Sequence, residues 1–197
     1  MEKSEKSILK GSDTLIVSFG GYALMLGGIP SFEFTNFLSI NFTNTDSLFY
    51  IDKKGINYHH GIEGISENIP ETVDYLNEKI KGYSKVLFLG VSSGGYAAIL
   101  FGSLLKVTYV LAFIPQTILY KSNKIPEYCN LKRFINEITE YHIYGDVNVK
   151  NPKDPHHISH CENILQDNVF LKRKEGISLK NMRDSGELFT IINSILK

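Results

Sequence analysis

The segment LFLGVSSGGYAAI, residues 87–99, places a serine where it could act as a nucleophile. Its residues 90–94, GVSSG, fit the pattern G-x-S-x-G, with an apolar run before them and small helix-forming residues after them. A serine on such a strand-to-helix turn is exposed for attack on an acyl carbon. The alternative is a glycine-rich turn that cradles a phosphate, but G-x-G-x-x-G and P-loop patterns do not occur. We therefore expect Ser92 to be the nucleophile of an acyl-transfer reaction.

Backbone amides near Ser92 could stabilise the oxyanion that such a reaction forms. The helix expected after the turn begins at Ser93, whose N–H is a natural first donor. A second donor would come from the loop after a neighbouring strand, and FGGY (residues 19–22) follows the apolar run TLIVSF. We expect the amides of Gly21 and Tyr22 to serve as these loop donors.

The elements that position these residues follow from alternating β-rich and helical runs. Six β-rich runs occur, at residues 14–19, 47–51, 85–90, 107–114, 140–145 and 169–173. Amphipathic or small apolar segments separate them, as in a parallel sheet covered by helices on both faces. The fold class is therefore α/β, a three-layer sandwich around a mostly parallel six-stranded sheet. We expect a single domain over residues 1–197, with a small cap at 115–135.

Composition excludes several classes of function. The chain has 197 residues, 43% hydrophobic side chains, and 21 basic residues against 21 acidic ones. A neutral chain without basic runs predicts no nucleic-acid partner and no membrane partner. Two cysteines and the lack of a signal-peptide pattern favour a cytoplasmic protein. We expect a small-molecule substrate or ligand and no cofactor.

Several motifs together resemble the α/β-hydrolase superfamily, in particular a group of small members. These motifs are the FGG loop, the elbow GVSSGGYAAILFG, AFIPQT after the next strand, and RDSGEL before the last helix. The resemblance runs from Asp13 to Ile195. It implies a minimal α/β-hydrolase fold that lacks the first two strands of the superfamily.

The resemblance also implies a serine–acid–histidine order, with the histidine on the loop after the last strand. Here that loop holds Ile177, and none of the six histidines lies beyond residue 160. Isoleucine cannot accept a proton, so another group must act as the base if Ser92 is active. By the same resemblance Asp154 matches the acid, and Asp146 is the alternative.

The segment DPHHISHCEN, residues 154–163, contains the candidate replacements. His157 and His160 would share a helix face if a helix began near Pro155, and either could reach Ser92. The competing interpretation is that both histidines cap or pack that helix.

Other histidines are assigned to other roles. His59 and His60 follow the second β-rich run, and we expect them at the rim of the site as substrate contacts. The pairs His156–His160 and His157–Cys161 have i, i+4 spacing, but without a third ligand no metal site is expected. The sequence therefore favours a serine hydrolase that cleaves an ester or thioester. The alternative is a degenerate homologue that binds a ligand or partner without turnover.

Overall fold

The computed structural model describes residues 4–22, 25–26, 29–30, 32–120 and 124–197. In these ranges the strands are β1 (Glu5–Ile8), β2 (Thr14–Phe19), β3 (Met25–Leu26), β4 (Ile29–Pro30), β5 (Asp46–Tyr50), β6 (Lys85–Val91), β7 (Tyr109–Phe113), β8 (Glu140–Asp146) and β9 (Val169–Lys174). The α-helices are α1 (Thr35–Asn41), α2 (Ile69–Ile80), α3 (Ser93–Leu105), α4 (Ile158–Asn163), α5 (Leu179–Asp184) and α6 (Glu187–Leu196). None of the helices described is both long and apolar enough to cross a membrane.

Seven of the strands form one sheet in the order β1-β5-β2-β6-β7-β8-β9. Every neighbouring pair in it is parallel except β1 and β5, which are antiparallel. The predicted α/β class is confirmed. The sheet has seven strands where six were expected, because β1 adds an edge. Its sequence, EKSI, is short and largely polar, so it gave no strand signal.

The sheet separates two hydrophobic cores. Helices α2, α3 and α4 cover one face, and α1, α5 and α6 cover the other. Strands β5 and β2, and the centres of β6 and β7, are buried almost throughout. Strands with helices on both faces need apolar side chains on both, which explains their continuous hydrophobic runs. Parallel strands also end at one common edge, where ligand sites form in such sheets.

The turn between β6 and α3 depends on close approaches of backbone to backbone. A Cβ atom at Gly94 would lie 2.1 Å from the carbonyl oxygen of Phe19, at the end of β2. A Cβ atom at Gly90 would lie 2.2 Å from the carbonyl oxygen of Gly94. Real Cβ atoms do not approach this closely, so glycine is required at both positions. The loop after β2 is thereby held against the first turn of α3.

The segment after β7 crosses the same edge of the sheet. Two 3₁₀ helices, Pro126–Tyr128 and Leu131–Phe134, lie within it, and Ile118 pairs with Asn130 in an isolated bridge. Its ring contacts include the Tyr128–Phe134 stack, whose centroids are 5.5 Å apart. Residues 121–123 lie outside the described ranges. A cap at 115–135 within a single domain stays a prediction.

The close approach at Gly94 predicts a large loss of stability on adding one methyl group. Gly94→Ala forces the loop after β2 away from α3, and we expect the free energy of unfolding to fall by about 3 kcal/mol or more. Gly82→Ala is the matched control, because Gly82 has φ 87° but nothing within 4 Å of its added Cβ. There we expect a loss of about 1–2 kcal/mol, from backbone strain alone. Equal losses in urea denaturation would contradict the proposed steric requirement.

Candidate active site

Ser92 lies between the last residue of β6 and the first residue of α3, in a backbone conformation that serine rarely adopts. Its φ is 55° and its ψ is −116°. Three hydrogen bonds hold it there: Ser92 N–H donates to Phe113 O at 2.9 Å, while Tyr96 N–H (3.0 Å) and Gln116 N–H (3.4 Å) donate to Ser92 O. Strained residues persist when the surrounding structure fixes them, and they concentrate at functional sites.

The side chain of Ser92 meets His156. The distance from Ser92 Oγ to His156 Nε2 is 2.7 Å, which is a hydrogen bond between a hydroxyl and an imidazole. His156 comes from the loop between β8 and α4, 64 residues further along the chain. An imidazole in this position can accept the serine proton as the oxygen attacks.

Asp154 lies beside His156. The backbone N–H of His156 donates to Asp154 Oδ1 at 2.8 Å, and His156 Nδ1 lies 3.6 Å from the same oxygen. Both side chains are partly exposed. The order of contacts, serine to imidazole to carboxylate, is that of a catalytic triad. The second contact, at 3.6 Å, is longer than a hydrogen bond.

His157 and His160, the predicted bases, do not contact Ser92. His157 is the N-cap of α4, with its ring accepting from Ser159 N–H at 3.2 Å. His160 is buried, and its Nδ1 accepts from the backbone N–H groups of Thr117 (3.2 Å) and Ile118 (3.3 Å). Burial, with smaller electrostatic contributions from neighbouring histidines, lowers the pKa of His160, and the charge of Asp154 only partly opposes this shift. His160 therefore fixes the backbone beside Gln116.

His59 is fully buried, away from the rim where we expected it. Its Nδ1 accepts from Ile125 N–H at 2.9 Å, and its Nε2 lies 2.8 Å from Tyr96 Oη, which donates its own proton to Tyr128 O. His59 must therefore carry its proton on Nε2 and be neutral. Burial, followed by the charges of Lys124 and His60, lowers its pKa to about 4. His60 is exposed.

The loop after β2 lies beside the elbow. A Cβ at Gly21 would lie 3.1 Å from Val91 O and 3.9 Å from Ser93 Oγ. Burial raises the pKa of Glu33 to about 7, and a hydrogen bond from the Gly21 amide opposes this shift. The amides of Gly21, Tyr22 and Ser93 stay predictions as oxyanion donors.

Comparison with solved structures finds similar architecture at low sequence identity. A capsule O-acetyltransferase of Neisseria meningitidis serogroup A matches with a TM-score of 0.68 and 14% identity, over 100% of this chain and 93% of that one. A variant of that acetyltransferase in complex with CoA matches with a TM-score of 0.64 and 15% identity, over 96% of this chain and 92% of that one. An esterase of Pyrococcus furiosus matches with a TM-score of 0.63 and 17% identity, over 98% of this chain and 84% of that one. No protein-family model and no curated protein sequence matches the chain.

The order of the strands, the position of Ser92 and the similar solved structures all indicate the same fold. The chain has the α/β-hydrolase fold. The loop after β9 departs from the arrangement that the resemblance implies, because Ile177 lies where a histidine was expected. Its backbone N–H and that of Gly176 donate to the two carboxylate oxygens of Asp146, at 2.9 and 3.0 Å.

Asp146, the alternative acid, therefore has a structural role. Burial raises the pKa of its carboxyl, but hydrogen bonds from Asn148, Ile177 and Gly176 outweigh burial and leave the pKa below its ordinary value. Because three backbone N–H groups donate to this carboxylate, it is ionised and its oxygens already accept hydrogen bonds. Asp146 ties the loop after β9 to the end of β8, while Asp154 faces the histidine.

Sequence reasoning missed two residues at this site. His156 was considered only for metal spacing, because a helix was expected near Pro155, whereas α4 begins at Ile158. Gln116, which donates to Ser92 Oγ at 3.1 Å, follows β7 in the PQT motif. Its position after the strand next to β6 was the available signal, since adjacent parallel strands end together. Among the described residues no group of three metal-ligating side chains could hold an ion.

The neutral state of His59 predicts a stability loss in acid. Below pH 6.5 the unfolded chain takes up a proton that buried His59 accepts only near pH 4, so stability falls as pH drops through this window. A shift of this size is worth at most about 3 kcal/mol. We expect His59→Gln, which keeps an acceptor for Ile125 N–H, to lose stability less steeply with acid. Urea midpoints from pH 7 to 4 measure this, with exposed His60→Gln as control; identical slopes in all three proteins would contradict it.

The raised pKa of Glu33 predicts the opposite pH dependence. Between pH 4.5 and about 7 the folded chain binds a proton that the unfolded chain has lost, so stability falls as pH rises. Among the described residues Glu33 Oε2 is buried without a hydrogen-bond partner, so its charge is poorly compensated. We expect Glu33→Gln to be more stable than the wild type at pH 8, by at most about 3 kcal/mol, and to lose that advantage by pH 5. Thermal melts at both pH values test this against exposed Glu137→Gln, and a pH-independent difference would contradict it.

Proposed function

We propose that the protein is a serine-dependent acyl-transfer enzyme that cleaves an ester or thioester through Ser92. The observation that carries this proposal is the 2.7 Å contact between Ser92 Oγ and His156 Nε2 on a strained strand-to-helix turn. A serine without a base is a weak nucleophile at neutral pH, and an adjacent imidazole removes that weakness.

The reaction would begin with attack of Ser92 Oγ on the acyl carbon while the Oγ proton passes to His156 Nε2. Asp154 would orient the imidazole and stabilise its positive charge. The amides of Ser93 and Tyr22 would donate to the oxyanion, with the positive end of the α3 dipole adding to their effect. His156 would then give its proton to the leaving oxygen or sulfur, leaving the acyl group on Ser92.

The acyl group would then be transferred from Ser92 to water or to a hydroxyl of a second substrate. The solved structures similar to this chain include both an esterase and an O-acetyltransferase, and a variant of the latter is in complex with CoA. Both reactions share the acyl-serine intermediate, so the proposal covers the common first half of the two. A thioester or small ester donor fits this shared step.

The proposal is tested by labelling the purified protein with an active-site-directed fluorophosphonate. We expect Ser92→Ala to abolish labelling and His156→Asn to slow it by 10² to 10⁴, the usual contribution of a general base. The matched control is His157→Asn, at the neighbouring histidine. Asparagine is a good N-cap and keeps that role in α4.

Two results would contradict the proposal. Equal labelling of wild type and Ser92→Ala would mean that Ser92 is not activated, which favours the alternative of a degenerate homologue that binds a ligand or partner. Loss of labelling in His157→Asn, with His156→Asn unaffected, would assign the base to the other histidine.

A further inference from the structure

A chain of polar side chains extends from Ser92 on the side away from His156. Gln116 Nε2 donates to Ser92 Oγ at 3.1 Å, and Asn57 Nδ2 donates to Gln116 Oε1 at 3.4 Å. Tyr22 Oη donates to Asn57 Oδ1 at 2.5 Å, and Lys124 Nζ donates to Tyr22 Oη at 3.0 Å. These five side chains come from four separate segments of the chain, since Gln116 and Lys124 both follow β7, so the contacts are a property of the fold.

Chemistry at the two ends fixes the direction of this chain. Lys124 is an ammonium and can only donate, whereas Asp154, beyond His156, is a carboxylate and can only accept. Every group between them can donate and accept. The hydrogen bonds therefore run one way, from Lys124 through Ser92 to His156, whose Nδ1 lies 3.6 Å from the Asp154 carboxylate. Because Gln116 donates to Ser92, the proton of Ser92 is directed at His156.

Burial restrains three members of this chain, whereas Tyr22 is 40% exposed. Asn57, Lys124 and Gln116 are 1%, 6% and 8% exposed, and buried polar groups must be hydrogen-bonded to avoid a large cost. Successive bonds in such a buried chain polarise and strengthen one another. The pKa of Tyr22 is raised to about 12 by burial and by the charge of Asp52, and a hydrogen bond from the Asn57 backbone opposes this shift. Tyr22 is thus protonated at neutral pH and remains a donor.

The backbone that carries Asn57 is also fixed. Asn57 has φ 57°, in the left-handed region. Asp52 stabilises this turn by accepting from the backbone N–H groups of Gly55 (3.1 Å), Ile56 (2.8 Å) and Tyr58 (2.9 Å). On the other side, His160 holds the backbone immediately after Gln116. Both amide side chains are therefore positioned by neighbours that do not touch Ser92.

We propose that Gln116 is a positioning residue for Ser92, held in place by Asn57, Tyr22 and Lys124, within the acyl-transfer function proposed above. The Gln116 N–H donates to one lone pair of Ser92 Oγ, so the Ser92 O–H donates to His156 Nε2. As the proton moves to His156 Nε2 and the bond from Oγ to the acyl carbon forms, the same N–H offsets negative charge on Oγ. Gln116 thereby lowers the barrier of the first step.

The variant Gln116→Glu tests this role with nearly no change in shape. A carboxylate cannot donate, so it accepts the Ser92 proton and turns it away from His156. We expect fluorophosphonate labelling at pH 8 to slow about 100-fold, the usual effect of removing one positioned donor. Hydrolysis of p-nitrophenyl acetate should show the loss in kcat, with KM nearly unchanged.

The pH profile separates positioning from a merely structural role. As pH falls, the introduced glutamic acid takes up a proton and becomes a donor again, so its rate relative to the wild type should recover. A structural defect would give a constant ratio at every pH. The matched control is Gln166→Glu, the same change at an exposed glutamine, which should label at the wild-type rate.

A second variant keeps the inference testable if Gln116→Glu does not fold. Tyr22→Phe removes the hydroxyl in the middle of the chain but leaves Gln116 and the Tyr22 amide, and we expect about tenfold slower labelling. Tyr120→Phe, at a tyrosine that is 85% exposed, is its control. Wild-type labelling rates at every pH in both Gln116→Glu and Tyr22→Phe would overturn this inference alone. An unlabelled wild type would overturn the proposed function and this inference with it.

Discussion

The backbone of Ser92 is held at a positive φ by packing on both sides, and the positions of the other site residues follow from that constraint. The turn is possible only because Gly90 and Gly94 allow backbone atoms to meet where a Cβ would collide. The same contact brings the loop after β2 against the first turn of α3. Strain at one residue is thereby compensated by close packing of three elements around it. The serine, the nearby amides and the helix terminus become one rigid unit.

Loops from one edge of the sheet then supply the partners of Ser92. Gln116 follows β7, and His156 follows β8, so the two side chains reach the serine from adjacent strand ends. The loop after β9 takes no part, because the Asp146 carboxylate binds its backbone at Gly176 and Ile177. An acid at the end of β8 can thus act as a structural anchor while the following loop carries Asp154 and His156. The position of a triad member depends on geometry, not on its place in the chain.

The fold was predictable from the sequence because buried parallel strands give continuous apolar runs and helices give a 3.6-residue period. Strand β1 was not, since its four residues, EKSI, are mainly polar and pair only at an edge. The segment whose histidine contacts Ser92 was also predictable from the lack of a histidine near Ile177. Which histidine faces Ser92 was not, because that depends on where α4 begins. A helix from Pro155 would have grouped His157 with His160, whereas a helix from Ile158 leaves His156 in the loop beside Asp154.

Trapping the acyl-enzyme tests most directly whether Ser92 is the nucleophile. Wild-type protein would be mixed with p-nitrophenyl acetate, quenched in acid within the first turnover, and digested for peptide mass spectrometry. We expect one acetyl group on the peptide that contains Ser92, appearing together with the first equivalent of nitrophenol. Nitrophenol release without an acetylated Ser92 peptide, or acetylation confined to lysine side chains, would contradict a serine-based acyl transfer.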